Sequence, residues 1–155
     1  LVAEHILNDP RVKKYEAKGH VFFKMPDGLQ YDKTLSENWE IPGFNKIAHI
    51  DFNLGGITER KLVAVCPNYA SEHRLSLDFM QEKLGVHLVP VPREEAFRHP
   101  ASFLPLGDNK VLVDSGAPKF IERLKDEGVE VIPTAVPLDS LLVNKGGLHC
   151  LFNEV

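Results

Sequence analysis

Cys150 closes the run "GGLHC" (146–150) and is one of only two cysteines in the chain. A glycine pair directly ahead of a short apolar run lets backbone approach another group closely. Such a cysteine can be a nucleophile if its thiol pKa is lowered and a base or cation stands nearby. His149 is adjacent in sequence, but neighbours on a strand point to opposite faces, so the base has to come from elsewhere. The plain alternative is a buried core cysteine behind a glycine-rich turn, because free cysteine is often buried. The best partners lie in "AHIDFN" (48–53). On a strand, His49 and Asp51 share one face while Ala48, Ile50 and Phe52 share the other. Read alone, that pair is equally the solvent-facing side of a half-buried strand.

Other candidates carry less chemistry. His73 sits on an expected helix among charged neighbours and reads as part of a solvated face. His87 and His99 fall on a strand and in a loop with no acidic residue at useful spacing. Cys66 precedes Pro67 at a strand end and reads as core, and "REEAFR" (93–98) reads as an exposed charge run. No Cys-x-x-Cys pair and no zinc-type Cys/His spacing occurs, so a structural metal site is not expected.

The elements that must position these residues come from an internal repeat. "KLVAVCPNYASEHRLSLDFMQEKLGVHLVPV" (61–91) runs parallel to "KVLVDSGAPKFIERLKDEGVEVIPT" (110–134). Each copy reads as a strand, a loop with proline, an amphipathic helix, a glycine stop and a second strand. Phe79, Met80 and Leu84 form the first helix stripe, and Phe120, Ile121 and Leu124 the second. Gly85 and Gly128 fit the position after a helix, where φ > 0 is needed. Another strand precedes each copy: "KIAHIDFNL" leads through Gly55-Gly56 and "ASFLPL" through "GDN", both with hairpin-turn chemistry. The unit is therefore ββαβ, and "LLVNKGGLHCLFN" reads as the opening of a further one. Upstream, "PRVKKYEAKGHVFFKM" reads as a helix ended by Gly19 and a strand over 20–24, and 25–43 reads as a loop. The expected organisation is one domain or part of one: 1–45 the end of an earlier module plus a loop, 46–100 a module, 101–136 a module, and 137–155 the opening of another. Modules set around an axis would bring their opening strands, and with them His49, Asp51 and Cys150, to the centre.

Composition narrows the class. With 43% hydrophobic and 26% charged residues the chain is an ordinary globular one. The net charge of −4 gives no basic face for nucleic acid. No apolar run approaches membrane-spanning length, so a soluble protein is expected. Two cysteines in 155 residues point to a reducing, cytoplasmic setting.

Together "HID" followed by Phe and Asn, "FLPLGDNKVLVDSGAPKFIERLKDEGVEVIPT" and "GGLHC", in this order, resemble the guanidino-group-modifying superfamily, the penteins, which includes arginine deiminase and glycine amidinotransferase. The resemblance covers roughly 46–155. It implies an α/β propeller of five ββαβ modules, of which this chain would form part or all, with the active site on the axis. It implies that Cys150 attacks a guanidinium carbon to leave a covalent amidino-thioether, and that His49 serves as general acid and base. Asp51 would grip the guanidinium, with no cofactor. The His-x-Asp form points to the deiminase and amidinotransferase branches rather than the dimethylarginine hydrolases. The implied partner is a small guanidino substrate such as arginine, with hydrolysis and amidino transfer both open. The family pattern also places acidic residues ahead of the histidine. Residues 1–48 hold Glu4 and Asp9 but no acidic glycine-rich segment, and Phe152 stands where threonine is expected after the cysteine. The chain is therefore expected to be a C-terminal portion, which leaves open homo-oligomerisation or association with a missing N-terminal part. It also leaves open the alternative of a non-catalytic module with a structural or binding role.

Overall fold

A computed structural model describes residues 9–19, 54–139 and 147–149. The first short piece is helix α1 (Pro10–Glu16), started by Asp9, whose carboxylate accepts the Arg11 N–H at 2.8 Å. Its chain turns away through Gly19, at φ 88°. The expected strand over 20–24 and loop over 25–43 lie outside the described residues.

Residues 54–139 fold as mixed α/β structure with two three-stranded sheets, and no closed barrel among the described residues. In the first, β1 (Leu54–Ile57) pairs antiparallel with β2 (Leu62–Val65), and β3 (His87–Pro90) returns parallel to β2. Two helices make the crossover, α2 (Pro67–Glu72) and α3 (Arg74–Leu84). The second sheet repeats the plan: β4 (Leu104–Gly107) antiparallel to β5 (Lys110–Val113), helix α4 (Pro118–Asp126), and β6 (Glu130–Pro133) parallel to β5. Both helix stops act as expected, with Gly85 at φ 64° and Gly128 at φ 76°.

The period of two along each strand divides the core. One face of the first sheet (Val63, Val65 and Leu88) packs with Tyr69, Leu77 and Met80 of its own helices. Its other face (Ile57, Leu62, Ala64 and Val89) joins a larger cluster with Val111, Val113, Phe120, Ile121 and Leu124 of the second module. Helix α4 thus serves both sheets. Its C-terminal end is tied to the first sheet by Arg123 donating to the Pro90 carbonyl at 2.6 Å and by Arg60 donating to the Gly128 carbonyl at 2.9 Å. Burying its three apolar side chains contributes roughly 1.5–3 kcal/mol each.

The structure departs from the sequence reading at four places. The first hairpin turns at Thr58–Arg60, with Lys61 left-handed at φ 50°, and Gly55-Gly56 lie within β1. His73 is buried at the α2–α3 junction with its ring 4.5 Å from that of Tyr69, not on a solvated face. His87 does have an acidic neighbour, Glu127 of the second module, whose Oε1 lies 3.0 Å from Nε2. Finally, Arg93–Arg98 is a 3-10 helix with Glu95 buried, not an exposed charge run. The Glu95 carboxylate accepts the N–H groups of Lys119 and Phe120, both at 2.9 Å, and so caps the start of α4. Those two donors have no partner within the helix, and a carboxylate also complements the positive end of the helix dipole.

Candidate functional site

His49, Asp51 and Cys150 lie outside the described residues. Their flanks do not. Residues 54–56 follow the "HIDFN" motif directly, and 147–149 run up to Cys150. Both flanks meet a third segment, 101–105, which enters the second hairpin.

Contact between 54–56 and 101–105 is close enough to require glycine. A Cβ on Gly55 would stand 2.1 Å from the Ala101 carbonyl oxygen and 2.6 Å from Cε1 of Phe103. Gly55 therefore serves backbone approach rather than a turn. Segment 147–149 is fixed to 101–105 by the His149 N–H donating to the Ser102 carbonyl at 2.9 Å, with Leu148 buried. Between them lies a recess of about 180 Å³ walled by residues 54–56, 101–103, Pro105 and His149. Its walls are mainly apolar and backbone. The Ser102 hydroxyl, buried in the same segment, meets no hydrogen-bond partner among the described residues.

The segment ahead of the recess is held by charge. Arg98 places Nε 2.9 Å from Asp114 Oδ2 and Nη2 2.8 Å from Asp139 Oδ1. Its side chain and that of Asp114 are 11% and 7% exposed. Burial alone would lower the Arg98 pKa, yet the hydrogen bonds it donates to Asp114 and Asp139 raise it above the usual arginine value. The other Asp114 oxygen accepts the N–H groups of Gly116 and Leu138, both at 3.0 Å. An uncompensated charge at this depth is costly, and here each charged group has its partners.

Cys66 is a core residue, as its position before Pro67 suggests. It is 4% exposed, and burial pushes its thiol up to about 12, despite a hydrogen bond with the Ala101 backbone that opposes the shift. It is therefore not a thiolate at neutral pH, and a reactive thiol in this chain has to be Cys150. Among the described residues no three His, Cys, Asp or Glu side chains gather as a metal site, and no helix is long and apolar enough to cross a membrane.

Sequence reasoning missed Arg98, Glu95 and Asp114. Only Asp114 left a local signal: Asp-Ser-Gly after a strand is the pattern of an aspartate bonding the N–H two residues on. No family model matches the chain, and no curated protein matches it.

Proposed function

We propose that this chain carries the nucleophile-bearing part of a guanidine-modifying active site, of the arginine deiminase or amidinotransferase type. The observation that supports it most is the meeting of the two motif flanks, 54–56 and 147–149, at one recess on segment 101–105. Asp51 is three residues from Leu54 and Cys150 is bonded to His149, so both motifs are attached directly to the recess walls.

In this reading the Cys150 thiolate attacks the guanidinium carbon. A C–N bond breaks as His49 gives its proton to the departing amine, leaving the carbon bound to sulfur. His49 then takes a proton from water or an acceptor amine, that nucleophile attacks the same carbon, and the C–S bond breaks to restore the thiolate. Asp51 holds the planar cation through paired charge-assisted hydrogen bonds. The cation in turn favours the thiolate. The apolar side chains in the wall, Leu54, Ala101, Phe103 and Pro105, suit the aliphatic stem of such a substrate. We further propose that the modules stack around an axis as in an α/β propeller. The row Gly55–Ala64–Val89 on the first sheet belongs to the face that packs with α4 of the next module. Its counterpart on the second sheet is Leu104–Leu112–Ile132, with Ile132 41% exposed, as a place for a further module's helix would be.

The test is product formation. Incubation with arginine or agmatine is expected to yield a ureido compound or an amidino-transfer product, and Cys150→Ala is expected to abolish it. No product from the wild-type protein, or undiminished product from Cys150→Ala, sinks the enzymatic reading. The same apolar row favours a second reading, a non-catalytic module that associates through this face. Light scattering that gives a monomer with full turnover contradicts that alternative.

A further inference from the structure

Segment 98–102 holds two parts of the chain that are ten residues apart in sequence. At one end, the Arg98 fork bridges Asp114 and Asp139 at 2.9 and 2.8 Å. The guanidinium lies so close over Gly116 that a Cβ there would stand 2.2 Å from Cζ. At the other end, the Ser102 carbonyl accepts the His149 N–H at 2.9 Å. Consecutive backbone bonds join these ends: the His99 N–H donates to Ala96 at 3.1 Å and the Ser102 N–H to His99 at 2.9 Å. Pro100 and Ala101 between them are buried. A close-packed stretch of this kind transmits a shift rather than absorbing it.

We propose that Arg98 is a positioning residue for Cys150: by fixing segment 98–102 against Asp114 and Asp139, it fixes the carbonyl that holds the residue next to the cysteine. This rests on the reading of Cys150 as the reactive thiol. A lysine cannot replace Arg98, because a single ammonium lacks the planar fork that spans two carboxylates. Asp139, at 74% exposed, is a mild place to weaken the same tie.

The experiment measures alkylation of Cys150 by iodoacetamide across pH, read by mass, with circular dichroism to confirm folding. Cys66 gives little background because it is buried and protonated. Alkylation by a small unbound reagent follows the thiolate fraction, so Arg98→Met is expected to move the pH midpoint toward that of an ordinary thiol and to slow alkylation at neutral pH by up to about tenfold per pH unit of that move. Arg98→Lys is expected to recover only part of the rate, and Asp139→Asn to shift rate and midpoint in the same direction by less. Folded Arg98→Met with the wild-type rate and midpoint overturns the proposal. If Arg98→Met does not fold, Asp139→Asn with the wild-type rate and midpoint overturns it instead. A wild-type Cys150 that titrates as an ordinary thiol both alone and in the presence of arginine overturns the nucleophile reading and this proposal together. A perturbed wild-type midpoint that Arg98→Met leaves untouched removes this proposal alone.

Discussion

Replacing Gly55 with alanine tests the close approach that builds the recess. The new Cβ would meet the Ala101 carbonyl oxygen at 2.1 Å and the Phe103 ring at 2.6 Å, where real Cβ contacts essentially never fall below 3.0 Å. The carbonyl is backbone, so it cannot swing aside as a side-chain end would. Strand β1 or segment 101–103 has to move by at least about 0.9 Å, the difference between those two distances. Overpacking of this size costs about 1–3 kcal/mol. For a chain of this length that lowers Tm by roughly 2–12 °C, at about 2–4 °C per kcal/mol. The same displacement separates the flank of "HIDFN" from segment 101–105, which also carries the carbonyl bonded to His149. Turnover is therefore expected to fall by on the order of a hundredfold, beyond what the stability loss explains at a temperature where the variant is folded. Gly56→Ala is the internal control: no atom lies within 4 Å of its added Cβ, and its Tm is expected to stay within about 2 °C of wild type. Calorimetry and a ureido-product assay on both variants decide the matter. A Gly55→Ala protein that melts and turns over like wild type refutes the close approach, and with it the shared recess.

Two further predictions concern residues away from the recess. Glu95→Ala leaves two buried N–H groups at the start of α4 without their acceptor, and is expected to cost about 1–3 kcal/mol in denaturant unfolding. Glu95→Gln, which keeps one acceptor oxygen, is expected to lose less. For Cys66 the folded thiol is raised from its ordinary 9.0 to about 12, so the native state holds a proton that the unfolded chain releases. Its contribution to stability is complete below about pH 9 and is lost as pH rises toward 12. Urea midpoints followed from pH 8 to 11 are expected to fall more steeply for wild type than for Cys66→Ala.

The module plan was legible because local signals and packing agree there. Gly107, Asp108 and Asn109 all take positive φ in the second hairpin turn, as their residue types suggest. Phe120, Ile121 and Leu124 are all buried, as their helical spacing requires. Where the reading failed at Gly55 and Glu95, the deciding partner was distant in sequence. A glycine pair signals either a turn or close backbone approach, and only Ala101 and Phe103, some 45 residues on, select the second. The actual turn relies on Lys61 in the left-handed region, and lysine gives no sequence cue for that. Glu95 looked solvated among charges because its two N–H donors lie in another element. His73 looked exposed among charged neighbours although its cover, the Tyr69 ring, is close in sequence, because the helix junction between them gives no local cue.

The central claim is that Cys150 attacks a guanidinium carbon beside this recess. Its most direct measurement is the mass of the protein acid-quenched during reaction with arginine or agmatine, followed by peptide mapping. The account predicts an amidino-type adduct on the peptide bearing Cys150, none on the peptide bearing Cys66, and its loss in Cys150→Ala. An active wild-type protein that forms product without ever carrying mass on Cys150, or that carries it elsewhere, contradicts the account.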